Sequence, residues 1–262
     1  MPYRHVLWTA YAVAFLLMSG THTAIAETPP RPDSGTTLGR ILDEWHRRSS
    51  ASTSVDVLFN GEARSRAWGV EPYDGRVTLG PKGKAAVSLV RHRGKDNAIS
   101  TERLIWTNDE YHRFLSMPES KVHVLAPIAA TDRGRLPAVF ALPFLWNSSV
   151  EDLERRYHVE LLKEDAETCT LAFTPLPGSG PSAFSKAFLQ LDRRTYLPRR
   201  YFTIDPNGKD SKDYRATEAR RDLRIPEEVF RIPGEQGWDL IDLSQGGLSA
   251  WVARAFQQVL LP

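Results

Sequence analysis

From Val55 onward, apolar side chains recur at every second position: Val55, Val57 and Phe59, then Val77 and Leu79, Val87 and Leu89, Leu104 and Trp106. A period of two sends successive side chains to opposite faces of an extended backbone, so each run reads as a strand buried on one side. Strands of this kind pair antiparallel, with one face against a core. Asp74-Gly75, Gly80-Pro81, Arg93-Gly94 and Asn108-Asp109 carry turn chemistry between them and predict hairpins in a meander. Strands resume at Val159 and Leu161, Leu171 and Phe173, Phe188 to Leu191, and Tyr201 to Ile204. The last of these meets Tyr214 and Ala216 across Asp205-Pro206-Asn207-Gly208, the clearest hairpin in the chain.

Three segments break the period of two. Leu38, Ile41, Leu42 and Trp45 fall at i, i+3, i+4 and i+7, which predicts an amphipathic helix ending near Arg48. Between Ala126 and Tyr157, Pro127, Pro137 and Pro143 punctuate an apolar stretch and forbid a central strand there. Ser148 with Glu151 has the form of a capping box, and Val150, Leu153 and Tyr157 continue at helical spacing, so a short helix is expected to begin near Ser149. An apolar, irregular insert followed by a helix has the character of a lid. After Gly246-Gly247, Leu248, Trp251, Val252, Ala255, Phe256, Val259 and Leu260 predict a C-terminal amphipathic helix within residues 242–262.

The N-terminus adds an address. Arg4 and His5 precede the apolar run Val6 to Met18, and Ala24-Ile25-Ala26 offers small residues for cleavage, so residues 1–26 read as an export signal and the mature protein as periplasmic. The apolar run is shorter than the roughly 20 residues of a membrane-spanning helix. Residues 27–37, rich in proline and hydroxyl side chains, read as a flexible lead-in to one domain over 38–241. A formal net charge of +2 argues against nucleic acid as a partner, and 41% hydrophobic residues suffice for a core. The single Cys169 makes no internal disulfide.

Chemistry-bearing motifs are lacking. The sequence contains no metalloprotease, nucleophile-elbow, phosphate-loop or paired CxxC pattern, so it does not read as an enzyme, and no cofactor is expected. His46, His92, His112, His123 and His158 are scattered without ligand spacing and read as surface or strand residues, with no metal site. What the chain does hold is aromatic and aliphatic bulk beyond the needs of one thin sheet. That bulk suits either a well-filled core or an apolar cavity closed by a helix and a lid. Trp106, Phe114, Phe140, Phe144, Leu145 and Trp146 are the candidates for lining the cavity and its lid.

Several short stretches, in order, resemble the LolA/LolB superfamily of outer-membrane lipoprotein carriers. They are Thr101 through Phe114, Leu142-Pro143-Phe144-Leu145, Leu171-Ala172-Phe173-Thr174-Pro175 and Phe230-Arg231-Ile232-Pro233-Gly234, and the resemblance runs from about Leu38 to Ile241. Leu145 through Val159 is similar to an uncharacterised exported branch of LolA-like proteins. The resemblance implies a mainly β (α+β) fold: an open, strongly curved antiparallel sheet, an incomplete barrel, covered by helices. It also implies a monomeric carrier for a lipid or acylated lipoprotein, with a membrane-bound donor or acceptor protein. The alternative it leaves open is an envelope sensor or protein-interaction module. Where the carriers place an arginine before proline in an early strand, this chain has Gly80-Pro81-Lys82-Gly83-Lys84.

Overall fold

A computed structural model describes residues 36–66, 69–93, 98–107, 109–118, 120–128, 149–178, 182, 184–234 and 236–242. The expected export signal, the insert carrying Phe140, Phe144, Leu145 and Trp146, and the C-terminal helix after Asp242 lie outside the described residues.

The chain enters through α1 (Thr37–Ala51), whose first turn is capped by Thr36: its Oγ1 accepts from the Gly39 amide at 3.1 Å. The stripe read from the sequence, Ile41, Leu42 and Trp45, is its buried side. Strands β1 (Val55–Ser65), β2 (Gly69–Leu79), β3 (Ala85–Arg93), β4 (Ala98–Trp106), β5 (Glu110–Met117) and β6 (Ser120–Pro127) follow as a meander. The second half starts at α2 (Val150–Arg156) and continues as β7 (Tyr157–Glu164), β8 (Thr168–Pro175), β9 (Lys186–Asp192), β10 (Pro198–Ile204) and β11 (Ser211–Arg221). A 3-10 turn (Glu227–Phe230) then leads to β12 (Asp239–Asp242).

All twelve strands form one sheet in the order β12-β6-β5-β4-β3-β2-β1-β11-β10-β9-β8-β7. The two meanders join where β1 pairs with β11, every pairing is antiparallel except β12 on β6, and the edges β7 and β12 do not meet. This is the open antiparallel sheet with helices expected from the sequence.

The sheet is strongly curved. Tyr73 on β2 and Tyr214 on β11 are two strands apart, about 10 Å in a flat sheet, yet their rings close to 5.3 Å on the inner face. Glycine helps the bend: a Cβ at Gly61 would lie 2.2 Å from the Asp213 carbonyl and 2.7 Å from the Tyr73 ring. With no side chain between them, Tyr73 and Tyr214 meet over β1 at 5.3 Å.

Two local readings are corrected. Asp74-Gly75 is not a turn but mid-strand in β2, paired with Asn60 and Phe59. The glycine serves packing instead, since the Phe59 ring fills the space a Cβ at Gly75 would occupy, 2.4 Å away. The cap of α2 is Ser149, whose Oγ accepts from the Asp152 amide, rather than Ser148, and Tyr157 has already left the helix for β7.

Candidate functional site

The face of the sheet that carries α1 and α2 is the inner one. Over β7, β8 and β9 it is covered: Ile41, Leu42 and Trp45 of α1 and Val150 and Leu153 of α2 pack with Val159, Cys169, Leu171, Phe173, Ala187 and Leu189 in one buried cluster. Up to the bulge after Leu161 the polar positions of these strands face outward, so the alternation in sequence and the helix cover agree there.

Across β1 to β6 the inner face is built in cross-strand rows. The first row reads Val55, Leu79, Ala85, Trp106, Tyr111, Ala126, and is apolar throughout apart from the tyrosine hydroxyl. The second reads Val57, Val77, Val87, Leu104, Arg113, Val124, and the third Phe59, Gly75, Leu89, Glu102, Leu115, Val122. The fourth begins Gly61, Tyr73, Arg91, Ser100. Charge therefore enters the inner face gradually, moving along the strands away from the first row.

The charged residues meet. The Glu102 carboxylate, 3% exposed, accepts from Arg113 Nε at 2.7 Å through Oε1 and from Arg91 Nη2 at 2.6 Å through Oε2. Burial alone would push the Glu102 carboxyl up, but the charges of Arg113 and Arg91, and more weakly Lys212, hold it below the usual carboxylate range. It is therefore an ion inside a half-apolar wall. Leu89, Leu115 and Val122 around it are only half-buried, whereas Leu104 and Val87 behind them are fully buried.

Of the residues singled out from the sequence, two are described. Trp106 is buried in the first inner row, its ring tilted against Tyr111 at 5.1 Å. Phe114 is equally buried but on the opposite, outer face, because it pairs with Arg103 rather than with an inner residue. There it stacks on His123 at 4.2 Å and meets Trp238 edge-on at 5.2 Å. The two are not brought together. Phe140, Phe144, Leu145 and Trp146 lie outside the described residues.

The outer face is itself partly covered by the chain after β11. Phe230 packs over Gly80, Arg103 donates to the Val229 carbonyl at 2.9 Å, and Lys84 pairs with Glu227 at 2.8 Å, so this lysine ties down the closing segment. His112 and His123, read as strand residues, are strand residues and buried, with His112 Nδ1 3.1 Å from His123 Nε2. Among the described residues no three His, Cys, Asp or Glu side chains cluster as metal ligands. No described helix is long and apolar enough to cross a membrane.

A second concavity, about 480 Å³, lies at the end of α1 and is lined by Arg47, Arg48, Arg194, Arg220 and Arg221 with Thr195 and Asp222. It is a joint. Arg221 donates to the carbonyls of Arg48 and Thr195 and to Ser52 Oγ, satisfying the helix C-terminus, whose partial negative charge suits a cation. Arg47 and Arg48 pair with Glu44, and Arg220 with Glu218. The inner face around Glu102 is thus the stronger candidate, and the residues that mark it are Arg91, Glu102 and Arg113. Their signal in the sequence is a charge standing in phase with apolar neighbours: Leu89-x-Arg91, Glu102-x-Leu104 and Tyr111-x-Arg113-x-Leu115.

No family model and no curated protein matches the chain. Solved structures to which it is similar include an uncharacterized conserved protein from Thermus thermophilus, at 14% identity and TM-score 0.47, covering 79% of this chain and 99% of that one. A LolA superfamily protein from Nitrosomonas europaea is similar at 11% identity and TM-score 0.37, covering 75% and 98%. The Pseudomonas aeruginosa MucA/MucB complex contains a further similar chain, at 13% identity and TM-score 0.42, covering 76% and 62%.

Proposed function

We propose that this chain is an exported binding protein or carrier that holds the acyl chain of a lipid or acylated lipoprotein on the inner face of its sheet between β1 and β5. The observation that carries the reading is a half-buried apolar strip beside an ion group on that face. Helices fill β7 to β9, while Leu89, Leu115 and Val122 remain half-buried beside an ion group. Apolar surface removed from water contributes about 25 cal/mol per Å², so an acyl chain laid over these three residues gains affinity from area rather than from head-group detail. The resemblance of the sequence to lipoprotein carriers supports the same reading, as does the signal-like N-terminus, which would deliver the protein to the periplasm.

Native mass spectrometry with lipid extraction, on protein purified from its own envelope fraction, tests this. A co-purifying acylated species is expected. A clean apo mass, with no uptake of added fatty acid, would overturn the carrier reading and leave a protein-interaction module.

A further inference from the structure

Resting on that reading, we infer that the ligand is an anionic amphiphile, its carboxylate or phosphate taken up by Arg91 and Arg113 while its tail lies on the half-buried Leu89, Leu115 and Val122. Around Glu102 two arginines meet one carboxylate, with Glu71 on β2 further along the same face, diagonal to Arg91. Each arginine gives Glu102 one hydrogen bond, Arg113 through Nε and Arg91 through Nη2. A guanidinium carries five N–H donors in a planar fork, so most of each fork is left over among the described residues.

The outer face shows what a fully engaged arginine looks like on this sheet. Arg76 grips Asp56 through both Nε and Nη2, at 2.7 and 2.9 Å, and Arg200 grips Asp213 the same way at 2.8 and 2.9 Å. Asp213 also has a second arginine, Arg215, but Arg200 and Arg215 are 48% and 62% exposed, so water screens the excess charge. Arg91 and Arg113 are only 28% and 19% exposed. Two guanidinium groups on one carboxylate in a partly desolvated wall leave donor capacity that suits an incoming anion, and a fork geometry fits a carboxylate or phosphate. Lys212 stands on the same face of β11, opposite Ala63, with its ammonium 3.7 Å from the Asp205 carboxylate.

The wall is amphipathic in the right sense. Leu89 and Leu115 flank Glu102 in its own row, and the rows toward the start of β1 lose their charge. A ligand with its head at the arginines therefore meets the half-buried Leu89, Leu115 and Val122 with its tail, while the rows beyond them form a buried core.

The test is calorimetric titration of the delipidated protein with palmitate, hexadecyl phosphate and methyl palmitate. The two anions are expected to bind at least about tenfold tighter than the ester. That ratio should fall to near one in the triple variant R91M/E102L/R113M, which removes the charges together and preserves side-chain bulk. A preference for palmitate alone assigns a carboxylate ligand; a preference for hexadecyl phosphate alone assigns a phosphate. Equal binding of acid and ester, or a preference that survives in the triple variant, would overturn the inference and leave the apolar site standing. No binding of any of the three would overturn the carrier reading itself. A variant-free check is the carboxyl titration of bound [1-13C]palmitate by NMR: its midpoint should fall below that of the free acid, and an unshifted or raised midpoint would contradict contact with the arginines.

Discussion

The inner face of this sheet has two halves that treat charge in opposite ways. Over β7 to β9 the helix-covered inner positions are apolar, from Val159 through Leu171 and Phe173 to Leu189, with one carboxylate, Glu164, at the far end of β7 opposite Cys169. Over β3 to β5 the same face interleaves Leu89 with Arg91, Leu104 with Glu102, and Leu115 with Arg113. A chain that needed only a core would repeat the first solution. Charged groups in a half-buried wall cost desolvation and do not by themselves stabilise a fold, which is why the proposed ligand is placed on that half.

The contrast can be broken most severely at Glu102. Replacing it with leucine leaves two half-buried guanidinium groups without their counter-ion, and a loss of about 3–5 kcal/mol is expected in urea unfolding. Replacing Arg91, Glu102 and Arg113 together should recover most of that loss, since no charge is then left alone. If the single and triple variants were equally damaged, the triad would be ordinary scaffolding.

The covered half should answer differently. Leu171→Ala, at a position with no exposure, is expected to cost about 2–5 kcal/mol by leaving a cavity under α1. Its effect on fatty-acid affinity, measured by calorimetry, should be within experimental error of none. A large change in affinity would mean that the ligand occupies the helix-covered half.

Gly61 sharpens the boundary between the halves. A methyl there meets the Tyr73 ring and the Asp213 carbonyl, so Gly61→Ala should destabilise by about 1–3 kcal/mol and open the Tyr73–Tyr214 contact. Thermal melts and tyrosine fluorescence read the two effects. At the small end, Ser149→Ala removes the cap of α2 and should cost about 1 kcal/mol without changing ligand affinity.

Acid should expose the same asymmetry. Glu102 and Asp213 have folded pKa values below their ordinary ones, Glu102 against its burial because of Arg113 and Arg91, Asp213 against its burial because of Arg200 and Arg215. A depressed carboxylate contributes stability that is present above its unfolded pKa and is lost as pH falls through its folded pKa. Stability should therefore decline on acidification below the ordinary carboxylate range. Glu102→Gln should flatten that decline, whereas Ser149→Ala should leave its slope unchanged.

Much of this architecture was legible from the chain. The alternation at Val55-Val57-Phe59 and its successors gave the strands, the Asp205–Gly208 turn gave the β10–β11 hairpin, and the Ile41-Leu42-Trp45 stripe gave α1, because each is a local pattern with a local cause. The failures were non-local. Asp74-Gly75 has turn chemistry, but the glycine is spent on the Phe59 ring from the neighbouring strand. Phe114 has the bulk of a cavity residue, but its face depends on register with β4, which places it outside against His123 and Trp238. Arg91, Glu102 and Arg113 come from three strands and become one group only when those strands are paired.

The most direct test of the division between the two halves is photo-crosslinking with a palmitate analogue that carries a diazirine on its tail, followed by peptide mapping. Labels on the inner residues of β2 to β5, around Leu89, Leu104 and Leu115, are the expected result. Labels confined to β7 to β9 or to the outer face would contradict it.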